Sequence, residues 1–222
     1  MIIDFHSHIW RREWRNESMW DAMANTLVQR LGGGRDTGSS EAVKRDIFAY
    51  YLDPWGENHL RTMEESGIDL TVLHPLDYGL SAAGEAPATI EEQNKTHAEL
   101  VKKYPDKFAA FVGVDPRRPN ALDLLERGVN EWGLKGLKLH PATGFYPDDE
   151  GWDELYQRAC ELKAPLLIHT GHIAPPLDDR YAHPSYIDTL AARYPELTII
   201  AAHMAYDWWE ELARVGRNRP NV

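Results

Sequence analysis

A chain of 222 residues, 43% of them hydrophobic, is long enough to bury one substantial core. Its formal net charge of −11 argues against nucleic acid or an anionic membrane as a partner. No apolar stretch approaches the roughly 20 residues of a membrane span, no basic leader precedes the first predicted strand, and the single cysteine, Cys160, leaves no disulfide framework or cysteine-rich zinc site. Together these features predict a cytoplasmic protein that acts on a small molecule.

Apolar runs of strand type lie at residues 2–8, 70–75, 108–114, 136–141, 165–170 and 197–204. Between the first two, residues 10–52 break the rhythm with Trp10, Trp14 and Trp20, then a loose run from Gly32 to Ser40. An insertion there overlies the C-terminal edge of a sheet, which predicts a lid or substrate wall; the alternative is a decorative helical excursion. Asp53-Pro54 has the form of an N-cap followed by proline at the first helical position. Thr89 and Glu92 have capping-box spacing and open a helix towards Tyr104. Helical spacing recurs in Leu122, Leu125, Val129 and Trp132, in Trp152, Leu155, Tyr156 and Ala159, and in Ile187, Leu190, Ala191 and Tyr194 behind Pro184. A last helix is predicted from Trp208 to Val215.

This β-α repetition predicts an α/β fold with a parallel sheet and right-handed crossovers. The expected form is a TIM-type barrel in one domain over residues 1–222. A closed barrel has eight β/α units, so the last two are expected to be missing, with Asn221-Val222 as the lip of a seventh strand. The first and sixth strands would keep open edges, which predicts a homo-oligomer.

Five of the apolar runs end in histidine: His8, His74, His140, His169 and His203. In a barrel that edge is where active sites are built. His6 and His8 are two apart on a strand and share one side. Two imidazoles there can grip one divalent ion, and a third from another strand completes a half-cage with open positions. His169 is the candidate third ligand; a core histidine bonded to backbone is the alternative. His203 reads as acid/base rather than ligand, since a neutral imidazole beside a metal-bound water can take its proton. The ion expected is zinc, with manganese or iron as alternatives.

Lys138 shares a strand face with His140. A lysine inside a barrel is costly unless paired or modified, so a substrate clamp, a partner to a carboxylate and a carbamylated metal bridge all remain open. His140, His74 and His172 are the other candidate substrate contacts. His183 reads as a cap, His59 and His97 as surface or helix-packing residues, and Asp115 as a loop residue.

Asp4-Phe5-His6-Ser7-His8, Gly113-Val114-Asp115-Pro116, Gly136-Leu137-Lys138-Leu139-His140-Pro141, His169-Thr170-Gly171 and Ala202-His203-Met204 occur in this order. They resemble the amidohydrolase-related metal-dependent hydrolases, the branch that includes aminocarboxymuconate-semialdehyde decarboxylase-like enzymes. The resemblance implies a (β/α)8 barrel with one divalent metal, often zinc, held by His6, His8 and His169, and a catalytic histidine at His203. That family also uses an aspartate at the end of strand eight, which has no counterpart here; Asp207 falls just after the sixth strand. Two function classes follow. One is a metal-dependent enzyme that hydrolyses a C–N or C–O bond of a small cyclic or aromatic acid, or decarboxylates such an acid. The other is a non-catalytic, metal-binding partial barrel that depends on oligomerisation.

Overall fold

The computed structural model describes residues 1–30 and 39–222, so the glycine-rich stretch from Gly32 to Gly38 lies outside the described residues. Among the described residues seven strands form: β1 (Ile3–Ser7), β2 (Leu70–Leu73), β3 (Phe108–Ala110), β4 (Val112–Gly113), β5 (Leu137–Leu139), β6 (Leu166–His169) and β7 (Ile199–Ala202). All pairings are parallel, in the orders β1-β2-β3 and β4-β5-β6-β7. Only Phe111 separates β3 from β4, and its amide still donates to Leu73 O at 3.0 Å. The two sheets are therefore one wall with six strand positions, and each predicted run supplies one of them.

A repeated hydrogen bond sets the stagger of the wall. Val112 N donates to Gly136 O (2.8 Å), Leu137 N to Pro165 O (2.8 Å) and Leu166 N to Thr198 O (2.9 Å). In each case the amide entering a strand meets the carbonyl just before the next strand. Ile199 N repeats the step to Asn221 O at 2.7 Å. The fold is that of a TIM-type barrel wall, and among the described residues it is open between β1 and β7. Ile2, Ile3 and Phe5 at the first edge, and Met204 and Trp209 beyond the last strand, are exposed.

The pleat divides the core in two. Leu137, Leu139, Leu166 and Ile168 face outward and pack with Leu124, Leu125, Tyr156 and Leu190 of the surrounding helices. All eight are fully buried; burying each leucine contributes roughly 1.5–3 kcal/mol. Val72, Phe111, Leu167 and Ala202 form a separate inner cluster. Asn94, fully buried in the helix Ile90–Lys103, donates to Gly113 O at 2.8 Å and accepts from Gly113 N at 2.9 Å. Gly113 is required there, since a Cβ would lie 2.3 Å from Pro75 O.

The capping box forms as expected, with Thr89 N donating to Glu92 Oε2 at 2.7 Å and Glu92 N to Thr89 Oγ1 at 3.2 Å. Asp53 does not cap at Pro54. The helix starts at Glu57 behind Gly56 (φ 73°), and the Asp53 carboxylate reaches forward to accept from His59 N at 2.9 Å. Trp132 lies past the end of its helix, Ala121–Asn130. The insertion forms the helix Glu17–Arg30 and a run of short helical pieces over 40–51, including the π-helical Val43–Phe48. Trp20, Ala24, Val43 and Phe48 give it a small core of its own, and Asp53 N donating to Trp10 O at 3.0 Å closes its base. Among the described residues no helix is long and apolar enough to cross a membrane.

His97 is a packing residue with a pH signature. It is fully buried, its Nδ1 donates to Gln93 O at 2.8 Å, and its ring stacks 4.9 Å from Trp14. Burial holds its pKa down to about 4. Below about pH 6.5 the unfolded chain binds a proton here that the folded chain refuses, so stability falls as pH drops towards 4, by up to about 1.4 kcal/mol per pH unit. His97→Phe should flatten the fall of the urea midpoint over that window. An unchanged slope would mean that His97 is not held neutral.

Candidate functional site

The strand period brings the expected side chains to one place. His6 and His8 leave β1 on the same side with ring centroids 5.0 Å apart. His203, just after β7, lies 4.7 Å from His6 and 4.9 Å from His169. His140, just after β5, stacks on His169 at 4.2 Å with the planes 9° apart. These five rings and Lys138 line one cavity of about 480 Å³. Trp10, Arg15, Phe48 and Tyr51 supply another part of its wall, so the insertion is a wall of the cavity and not a decoration.

All five cavity imidazoles are held neutral. Burial, then the nearby Lys138, then His203 bring His6 down to about 3. His8, His140 and His169 lie well below the usual histidine range, with burial the main cause in each. His203 is lowered by burial and then by Lys138. Burial alone pushes Lys138 down to about 7. A neutral imidazole offers a lone pair. His8 Nδ1 donates to His74 O at 2.7 Å, which leaves its Nε2 as the lone-pair nitrogen. His6 Nε2 and His169 Nε2 are buried without a hydrogen-bond partner. This donor set suits a divalent ion, although among the described residues no three His, Cys, Asp or Glu groups are gathered closely enough to grip one as they stand.

The turn after β7 is held in an unusual backbone. His203, Met204, Ala205 and Tyr206 have φ of 67°, 47°, 56° and 50°, a region that costs non-glycine residues roughly 1–2 kcal/mol each. Two neighbours brace it. Thr170 Oγ1 donates to Ala202 O at 2.5 Å. Gly171 (φ 91°) lies so close that a Cβ would sit 2.7 Å from Ala205 C and 2.9 Å from its oxygen.

Two expected substrate contacts lie elsewhere. His74 does not line the cavity: its Nε2 donates to Phe5 O at 2.9 Å, a carbonyl freed by the register shift between Asp4 and Ser7 of β1. His172 turns away, with Nδ1 2.5 Å from Asp179 Oδ2 and its ring 4.3 Å from Trp208. Asp115 takes the loop role: it accepts from Arg117 Nε at 2.9 Å and from the Thr143 hydroxyl at 2.8 Å. Its amide donates to Asp77, which is itself bound by Arg118. Arg15 and Tyr78 are cavity residues that pattern reading missed. The available signal was an arginine set among tryptophans directly after His6 and His8.

A family model described as Amidohydrolase matches residues 3–222. The chain is 29% identical over 181 residues to a 2-keto-4-carboxy-3-hexenedioate hydratase from Sphingobium, covering 68% of this chain and 53% of that protein. It is 31% identical over 117 residues to a decarboxylase from Emericella nidulans, covering 51% and 35%. The chain thus spans about half the length of the first and about a third of the second. A 5-carboxyvanillate decarboxylase from Novosphingobium aromaticivorans with bound manganese superposes with a TM-score of 0.70 at 23% identity, over 96% of this chain and 69% of that one. That likeness shows the fold.

The bracing of the left-handed turn is testable. Gly171→Ala places a Cβ against the Ala205 carbonyl at a φ that alanine disfavours, and should cost roughly 2 kcal/mol. In a chain of this size that lowers the melting temperature by about 4–8 °C. A melting temperature within about a degree of the parent would show that the turn yields freely.

Proposed function

From a chain that belongs to the amidohydrolase family, we propose a metal-dependent enzyme that removes carbon dioxide from a small aromatic or conjugated carboxylic acid. The observation that carries this reading is the charge of the cavity. Among the described residues Arg15, Arg30 and Lys138 line it and no Asp or Glu does, in a chain whose net charge is −11. Such a pocket attracts an anion and compensates its desolvation. The decarboxylase and hydratase among the similar proteins support lyase chemistry over hydrolysis of a C–N or C–O bond.

His6, His8 and His169 are the residues proposed to hold one divalent ion, because two of them carry buried, unpartnered Nε2 atoms and the third has its tautomer set by a backbone carbonyl. Imidazole donors suit zinc, and the manganese of the structural neighbour makes that ion the other candidate. The ion, when bound, polarises substrate oxygens as a Lewis acid. Lys138, inward on β5, hydrogen-bonds an oxygen of the anion and stabilises charge that develops on it. His203 is neutral and takes a proton from a substrate hydroxyl or from water. The bond between the ring carbon and the carboxylate then breaks, its electron pair stays on the carbon, and His203 returns the proton there as carbon dioxide leaves. His140, flat against His169, fixes the orientation of that ring. A second reading, addition of water to a double bond, draws on the same neutral His203, which accepts a proton from water as readily as from a hydroxyl.

Manganese-loaded and zinc-loaded protein, incubated with a panel of aromatic and unsaturated acids, separates the readings by product mass: loss of carbon dioxide against gain of water. His203→Asn should lower kcat by roughly 10²–10⁴-fold while bound metal is unchanged. His6→Ala and His169→Ala should each abolish stoichiometric metal in the purified protein. Full metal content in both alanine variants would sink the assignment of these ligands.

A further inference from the structure

His6 and His8 face the cavity only because β1 is irregular. In a regular strand neighbouring side chains point to opposite faces. Here Phe5 meets Phe111 of the inner cluster edge-on at 5.8 Å, and the next residue, His6, lies 4.7 Å from His203. Both therefore point inward. The pairing with β2 shows the cause: Asp4 pairs with Thr71 and Ser7 with Leu73, so three steps along β1 match two along β2. The extra residue is a bulge, which re-aims the side chains that follow it. In an unbulged β1 that kept Phe5 inward, His6 and His8 would lie on the outer face, towards the helices.

One side chain holds this bulge. His74 directly follows β2 and is 1% exposed. It meets residues 5–8 with three separate groups. Its amide donates to Ser7 O at 3.0 Å, its ring Nε2 donates to Phe5 O at 2.9 Å, and its carbonyl accepts from His8 Nδ1 at 2.7 Å. The two backbone contacts are open to most residues; the ring contact is not. The bulge takes the Phe5 carbonyl out of the ladder, and a buried carbonyl without a donor is unfavourable. Nδ1 has no partner among the described residues, so the bond to Phe5 O is the only one the ring makes there. The ring also lies edge-on to His6 at 5.3 Å and to Phe111 at 4.8 Å.

We infer that His74 is a positioning residue for the metal site: its imidazole holds the bulge that turns His6 and His8 into the cavity, while its carbonyl fixes the His8 tautomer. This rests on the proposed function in taking His6 and His8 as ligands. It gives His74 no contact with the ion or with substrate.

The test measures manganese dissociation constants by competition with a chelator, together with urea midpoints of the metal-free protein. His74→Gln and His74→Met have similar length, but only the glutamine carries a donor at the distance of the imidazole Nε2. His74→Met should weaken manganese about tenfold to a hundredfold. His74→Gln should stay within about threefold of the wild type. A contact that only stabilises the fold would lower the urea midpoint of His74→Met and leave its dissociation constant within about twofold; that result overturns the inference and leaves the ligands standing. Glutamine as weak as methionine overturns it too, since the donor would not matter. Should His74→Met fail to fold, His74→Asn takes its place, because its amide is one bond too short for Phe5 O and should show the same loss. A wild type that takes no manganese, or a His6→Ala variant that keeps it, overturns the ligand assignment and the inference together.

Discussion

Five imidazoles and one amine meet at the inner ends of the strands, and they can share that space only if most of them are uncharged. The crowding enforces this. Burial is the first cause of the lowered basicity of His6, His8, His140, His169 and His203, and Lys138 adds to it for each of them. Lys138 is itself brought down to about 7. A proton added to any ring would face both desolvation and the repulsion of its neighbours. The same rings, neutral and with lone pairs to offer, are well suited to a divalent cation. The unfavourable burial of the cluster is offset outside it, where Leu137, Leu139, Leu166 and Ile168 alternate with the polar side chains and pack under the helices.

Such a cluster needs a backbone that does not drift, and several polar contacts supply it. Asn94 imitates a neighbouring strand for Gly113, bonding both its amide and its carbonyl. His74 does the same at the irregular point of β1 by taking up the Phe5 carbonyl. Thr170 and Gly171 brace the left-handed turn that carries His203. Asn94, His74 and Thr170 are buried, and each leaves a polar backbone group satisfied that would otherwise lack a partner.

The strands were legible because each is a short apolar run that stops at a polar residue, and the period of two then placed Lys138 beside His140 and His6 beside His8. The capping box at Thr89 was legible because its chemistry is local. What could not be read depended on tertiary partners. Asp53 precedes a proline and satisfies the rule for an N-cap, yet its carboxylate is used by His59 N, and Gly56 starts the helix. His74 ends a strand like the others, but the register shift in β1 gives it a backbone carbonyl to bond. His172 lies near the right loop, and the ring of Trp208 and the carboxylate of Asp179 hold it outside the cavity. Arg15 sits in a segment without strong periodicity, and nothing in its spacing announces that three aromatic rings will bury it.

Two parts of the chain supply different walls of the cavity. The strand ends provide histidines and a lysine, held to within a few ångströms of one another by the pleat and the outer packing. The segment between β1 and β2 provides aromatic rings and a guanidinium on an element that is not part of the sheet. That segment packs around a small core of its own, separate from the core under the strands. The net charge of −11 and a cavity without Asp or Glu among the described residues add to this division. Under the proposed function, the field of Arg15, Arg30 and Lys138, which meet no carboxylate among the described lining residues, draws a small anion to the histidines.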